Sequence, residues 1–161
     1  MVANQEIFLR EVTKETVCDI CTLAPLENQE QFVASNAVSI AQAHFNDGYA
    51  WFRAIYADDN PVGFVMLGID PKEDFCFLWR FMIDGRYQGM GFGRKALELV
   101  VETARLNKKL KRIITSYRKG NGNPGGFYKS LGFTEVANVD TLGDLGQRIK
   151  GFEEVALEYR L

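Results

Sequence analysis

The chain has no apolar run near the roughly 20 residues that a membrane-crossing helix requires, so a bilayer span is excluded. Met1 to Arg10 lacks a basic segment followed by an apolar core, and with no leader expected the cytoplasm is the expected location. Cysteine is scarce: Cys18, Cys21 and Cys76 are an odd set that builds no disulfide framework and fits a reducing compartment. Histidine is scarcer still. His44 stands alone, so Cys18-x-x-Cys21 has no second ligand pair and no metal is expected; two small apolar residues on one helical face explain the spacing. There is no basic stripe interleaved with aromatics, and a pI of about 5.5 excludes nucleic acid as a partner. Repeats, low-complexity tracts and linkers are missing too, which leaves one domain over residues 1–161.

What is present is a composition of 47% hydrophobic and 25% charged residues with twelve Phe, enough for one complete core. The net charge of -2 is unevenly placed. Residues 1–47 carry seven acids (Glu6, Glu11, Glu15, Asp19, Glu27, Glu30, Asp47) against Arg10 and Lys14, and the remainder carries a net +3. An acidic front and a basic back suggest two ligand sides of opposite charge preference.

Ile7 to Val12 reads as a strand, followed by Thr13 as a helix cap with Thr16 where a capping box has Glu or Gln. Val17, Ile20, Cys21 and Leu23 fall at helical intervals until Pro25. Asn36 is the expected N-cap of a second helix whose stripe is Val38, Ile40, Ala41 and Phe45. From Tyr49 the period changes. Ala50–Ala57 and Val62–Ile69 flank Asp58-Asp59-Asn60-Pro61, which predicts a hairpin. The near-continuous apolar run Phe75–Ile83 predicts a central strand covered on both faces. After a glycine-rich stretch, Ala96, Leu97, Val100, Val101 and Ala104 line one face of an amphipathic helix, with Lys108 to Lys111 expected at its C-terminal end. A strand at 112–117, a short helix at 124–131 and strands at 133–136 and 155–159 complete the reading.

The chemistry concentrates in the strand, glycine loop and helix of residues 75–107. Such a loop offers free backbone N–H groups and the positive end of a helix dipole, a site for phosphate oxygens. Two nucleotide motifs fail on it. Glycines at 89, 91 and 93 do not give G-x-G-x-x-G, and Gly93-Arg94-Lys95 lacks the hydroxyl residue of a P-loop.

Gln88-x-x-Gly91-x-Gly93 does match the Q/R-x-x-G-x-G/A signature, and Asn121 followed seven residues on by Tyr128 in Phe127-Tyr-Lys-Ser-Leu-Gly-Phe133 matches a second block. On these residues the chain resembles the GNAT superfamily of N-acetyltransferases over nearly its whole length. The resemblance implies an α/β fold: a mixed, mostly antiparallel twisted sheet of about six to seven strands flanked by about four helices. It implies acetyl-CoA as co-substrate, with no metal. Phe81, Met82 and Ile83 would offer backbone groups to the pantetheine arm, the N–H of Met82 serving the oxyanion. Gln88, Gly89, Met90, Gly91, Phe92 and Gly93 would wrap the pyrophosphate, with Arg94, Lys95, Lys119 and Lys129 toward the CoA phosphates. Asn121 would bond the pantetheine amides. Tyr128 would donate a proton to the leaving thiolate, its reference pKa of about 10 lying above the roughly 8.5 of a thiol. Many relatives carry a glutamate on the central strand where this chain has Phe77, Leu78, Trp79 and Arg80, so no base is assigned; water-mediated deprotonation relayed by an acid outside that strand, such as Glu27 or Asp74, stays open.

Within the superfamily, Phe32-Val-Ala-Ser-Asn36, Ser39-Ile-Ala-Gln-Ala43 and Leu78-Trp-Arg-Phe-Met-Ile-Asp84 resemble bacterial spermine/spermidine N-acetyltransferases. The resemblance implies a small-molecule amine partner, a polyamine attracted to Glu27, Glu30 and Asp47, with Trp79 beside it. Three alternatives stay open: an aminoglycoside acceptor, a protein N-terminal amine, and a non-catalytic acyl-CoA-binding module, against which Tyr128 argues. A homodimer stands open beside a monomer.

Overall fold

The structure, a computed structural model, describes residues 5–161. The reading of the N-terminus reaches Met1 to Asn4, which lie outside the described residues. One sheet holds β1 (Ile7–Arg10), β2 (Ala50–Ala57), β3 (Asn60–Ile69), β4 (Phe75–Ile83), β5 (Arg112–Arg118), β6 (Thr134–Glu135) and β7 (Glu154–Arg160). Their spatial order is β1-β2-β3-β4-β5-β7-β6, antiparallel throughout except where β4 meets β5. The central position expected for Phe75–Ile83 is its position. Cys76 and Leu78 pack toward the core under the long helix, while Phe75 and Phe77 pack on the opposite face.

The helices are α1 (Val17–Thr22), α2 (Asn36–His44), α3 (Phe92–Leu106), α4 (Gly125–Ser130) and α5 (Gly143–Gly151). Five stand among the described residues where about four were expected, and α5 is the one the sequence hides. Gly143, Gly146 and Gly151 weaken its helical signal. Gly146 is required there because a Cβ would collide with the carbonyl oxygen of Val139.

Two helix readings are corrected by packing. Ser35 caps α2, its Oγ accepting from Val38 N–H at 3.3 Å, which leaves Asn36 inside the helix and buried. Asn36 Nδ2 instead donates to Ile20 O at 2.9 Å and lies 3.8 Å from Met82 Sδ, tying α1 and α2 to β4. The buried stripe is therefore Asn36, Ser39 and Ala43, while Val38 is 49% and Phe45 84% exposed. The cap expected at Thr13 is also displaced: Thr16 is the N-cap of α1, and its Oγ1 accepts from Thr13 N–H at 2.9 Å in the turn before the helix, with no side-chain cap on the helix itself. At the far end of α3, Lys108 to Lys111 fall past its last residue, Leu106, and Arg105 is the cation in its last turn.

The hairpin β2–β3 turns at Asp58, which has φ +52°. Across β3 and β4 the register slips between Met66 and Leu67, whose partners are Arg80 and Leu78. Trp79 is the extra residue, and such a bulge bends the strand and re-aims its side chains.

Candidate active site

The parallel pairing of β4 with β5 covers Phe75 to Phe77 against Arg112 to Ile114 and then ends. Both strands continue, so their C-terminal halves diverge into a wedge. At its apex Thr115 Oγ1 donates to Leu78 O at 3.3 Å. The wedge opens into a cleft of about 500 Å³ lined by Leu78 to Ile83 on one wall and by Thr115, Ser116 and Tyr117 on the other. Tyr128 and Phe127 of α4 close its floor, and the Gly89 to Arg94 loop forms part of its mouth.

The mouth is built for an anion. Gly89 and Gly91 have φ of +77° and +81°, left-handed values that glycine adopts without the Cβ penalty. Nothing lies within 4 Å of where their Cβ atoms would be, so the backbone can be approached closely. Gly91 is the N-cap of the fifteen-residue helix α3 and supplies no side-chain cap, so first-turn N–H groups remain for a ligand.

The loop is anchored from behind. Gln88 Nε2 donates to Ile83 O at 2.9 Å and to Gln29 Oε1 at 2.7 Å, and Gln29 Nε2 returns a bond to Gln88 Oε1 at 3.1 Å. Asp84, 4% exposed, accepts from Ala24 N–H at 3.1 Å and from Arg86 Nε at 2.8 Å. Burial works against its charge, yet the hydrogen bonds from Arg86 and from the Arg86 and Ala24 amides hold its carboxyl below the usual carboxylate range.

Strand geometry turns a different N–H group into the wedge from the one the sequence reading chose. Asp84 N–H donates to Val62 O across β3, and an antiparallel ladder alternates every two residues. Met82 N–H therefore turns to β3, and the N–H groups of Phe81 and Ile83 turn to the wedge. The bond from Gln88 to Ile83 O is consistent with that outward direction.

Tyr128 is 6% exposed on the wedge floor. Burial pushes its phenol up to about 12, against a smaller opposite effect of the Thr115 side chain. It is a protonated hydroxyl at neutral pH.

The cleft gathers Trp79, Phe81, Met82, Ile83, Gln88, Gly89, Gly91, Phe92, Gly93 and Tyr128 from the expected set, but not Met90, Asn121, Lys129, Glu27 or Glu30. Met90 is exposed beside it, and in the Asn121 loop Gly122 and Asn123 do the lining. Lys129 binds Glu135 at 2.6 Å and Lys95 Nζ donates to Gln5 O at 3.1 Å, while Arg94 lines the mouth. Glu27 and Glu30 sit on a 3-10 helix, Glu27–Phe32, whose three-residue turn puts Gln29 and Phe32 on the cleft side and both acids on another face. Asp74 is removed as a relay: it lies at the opposite end of β4, paired with Arg112 at 3.3 Å and Lys111 at 3.6 Å. The sequence reading missed Gln29, Phe32 and Thr115, which only the fold brings to the cleft.

The profile of the Acetyltransferase (GNAT) family matches residues 17–133. The chain belongs to this family. A spermine/spermidine N(1)-acetyltransferase of Bacillus subtilis (strain 168) is 30% identical over 144 residues, covering 86% of this chain and 94% of that protein. The fold is shared with a spermidine N-acetyltransferase from Vibrio cholerae solved with CoA and spermine, at a TM-score of 0.70 and 16% identity over 96% of this chain and 95% of that one. It is shared also with an N-acetylglutamate synthase from Neisseria gonorrhoeae solved with coenzyme A, at a TM-score of 0.73 and 17% identity over 97% of this chain. This GNAT chain spans only 35% of the synthase's length. Acetyl-CoA-dependent N-acetyl transfer is thus the activity of this GNAT enzyme. No helix among the described residues is long and apolar enough to cross a membrane.

Proposed function

We propose that this enzyme moves the acetyl group of acetyl-CoA to a primary amine of a polyamine by direct attack in the β4–β5 wedge. The observation that carries this reading is the alignment of three features along one cleft: the open N-terminus of α3, the diverging strands and the buried Tyr128 hydroxyl. The N–H groups of the Gly89 to Gly93 loop hold the pyrophosphate, and the wedge takes the pantetheine arm with its thioester toward Tyr128. The amine lone pair attacks the thioester carbon, Phe81 N–H stabilises the oxyanion, and Tyr128 donates to the departing sulfur.

The names of the Bacillus and Vibrio proteins support a polyamine acceptor over an aminoglycoside or a peptide N-terminus. The acids Glu27 and Glu30, on a face of the 3-10 helix turned away from the cleft, attract it through solvent. The test is a panel of amines, including spermine, spermidine, an aminoglycoside and an N-terminal peptide, assayed with acetyl-CoA by release of free thiol. Turnover of the polyamines above the others supports the reading. Binding of acetyl-CoA with no amine turned over identifies a carrier module in its place.

A further inference from the structure

Attack on a thioester needs a neutral nitrogen, yet among the described residues no Asp, Glu or His lines the wedge to take the proton. Among the described residues its charged lining is two arginines: Arg94 at the proposed pyrophosphate mouth and Arg80 on β4. Arg80 lies on the same face of β4 as Met82, toward α2 and away from α3.

The guanidinium of Arg80 is fixed by neutral partners. Nη1 donates to Trp79 O at 2.9 Å, Nη2 to Gln42 Oε1 at 3.0 Å, and Cζ stands 5.4 Å from the Trp79 ring centroid. Its Nε is buried without a hydrogen-bond partner. The groups facing it do not neutralise it. From α5 comes Arg148, a second cation; from α2 the neutral Gln42; from β7 Glu154, which accepts from Ser116 Oγ at 2.6 Å and pairs with Arg118 at 3.8 Å. Burial and Arg148 lower the pKa of Arg80 from its ordinary value, against Glu154, yet a guanidinium remains charged throughout the working pH range.

Resting on the acetyl-transfer reading, we propose that Arg80 keeps the reacting nitrogen of the acceptor in its neutral form, and so does by electrostatic bias what a carboxylate base does by accepting a proton. An ammonium in this part of the wedge faces a fixed like charge, whereas a neutral amine does not. The ammonium proton leaves to water through the open cleft before attack. The nitrogen lone pair then forms the N–C bond, the C–S bond breaks, sulfur takes a proton from Tyr128, and the proton shed by nitrogen restores the phenol through solvent. The balance is R-NH3+ plus acetyl-CoA to R-NH-acetyl, CoA-SH and one proton.

A like charge at close range lowers the bound ammonium's pKa by about one to three units, enough to matter for an amine that titrates near 10. A further consequence separates this role from a packing role. The same charge weakens binding of the ammonium, so removing it must tighten KM while kcat falls.

The experiment measures kcat and KM from pH 6 to 10 for the native enzyme, Arg80→Gln and Arg80→Lys. Spermidine is compared with trifluoroethylamine, a weakly basic amine already neutral at pH 7. With spermidine, Arg80→Gln is expected to move the rise of kcat about one to two pH units to the alkaline side. It loses about 10- to 100-fold in kcat at pH 7, recovers near pH 10 and lowers KM. Arg80→Lys keeps the native profile, and trifluoroethylamine shows less than about a threefold loss with either variant. An equal loss of kcat at every pH and for both amines overturns the proposal. A native enzyme active on amines whose profile does not move on substitution overturns it alone, whereas a native enzyme that binds CoA and acetylates nothing overturns the acetyl-transfer reading as well.

Discussion

The side-chain amides of Gln29 and Gln88 bond to each other in both directions, at 3.1 and 2.7 Å, and so join the Glu27–Phe32 3-10 helix to the glycine loop. Gln88 spends its other amide hydrogen on Ile83 O, which fixes the loop to the end of β4. Gln88→Ala is expected to weaken CoA about tenfold, the loss of one or two net hydrogen bonds. Gln29→Ala loses less, and the double variant loses no more than Gln88→Ala alone, because both disrupt one pair. Calorimetric titration with CoA checks the set, and fully additive losses would show that the two amides act separately.

Gly91→Ala and Gly91→Glu both place a side chain at φ +81° and carry a similar backbone strain of about 1–2 kcal/mol. The Cβ itself meets open space. The glutamate adds a carboxylate beside the proposed pyrophosphate site, so CoA affinity is expected to fall at least about 100-fold further than in Gly91→Ala, and less at high salt. Equal affinity in the two variants, with matching melting curves, contradicts a pyrophosphate at this loop.

Tyr128→Phe is expected to preserve CoA affinity and to lower kcat by roughly 10²–10⁴-fold, the usual range for acid catalysis. The phenol is raised from about 10 to about 12 in the fold, so the unfolded chain releases this proton first as pH rises. Its contribution to stability is complete below about pH 10 and is lost as pH climbs toward about 12. Chemical denaturation between pH 8 and 11.5 should show a steeper decline for the native protein than for Tyr128→Phe.

Asp84 has the opposite sign. Its folded pKa is depressed, so the stabilisation is complete above the unfolded value of about 4 and disappears as acid protonates the folded carboxylate. Asp84→Asn is expected to cost about 1–3 kcal/mol at pH 7, and the gap to the native protein should close in strong acid. Urea titrations at pH 7, 5 and 3 measure it; a gap that stays constant with pH assigns the cost to packing alone.

Glu27 and Glu30 face away from the cleft, so their attraction for a polycation acts through solvent. Neutralising both is expected to raise KM for spermine roughly twofold to fivefold, as exposed pairs are worth about 0.2–1 kcal/mol, with KM for acetyl-CoA unchanged. Spermine and spermidine should exceed a monoamine of similar length in kcat/KM, by a margin that shrinks as salt rises. Identical turnover of monoamine and polyamine at low and high salt speaks against a polyamine enzyme.

Local pattern carried far in this chain. Apolar continuity put Phe75–Ile83 at the centre of the sheet, the turn residues after Ala57 set the β2–β3 hairpin, and the α3 stripe followed from a 3.6-residue period. Local signals failed where a distant backbone decided the choice. Ala, Val and Phe on α2 suggested one stripe, but contacts with Ile20 O and Met82 selected the face bearing Asn36. The glycines of α5 argued against a helix until Val139 required one of them.

By itself the sequence determined the family and the glycine turn that opens α3, since a glycine spacing feeding a helix N-terminus is a contiguous, short-range feature. Tertiary structure decided which groups face the cleft. Whether Phe81 or Met82 turns its N–H to the wedge depends on pairing with β3, and whether Glu27 or Gln29 lines the cleft depends on the rotation of one 3-10 turn. Divergence of β4 from β5 after three paired residues depends on strands more than thirty residues apart in the chain. Direction and register of that kind are set by long-range contacts, which a reading of neighbouring residues does not contain.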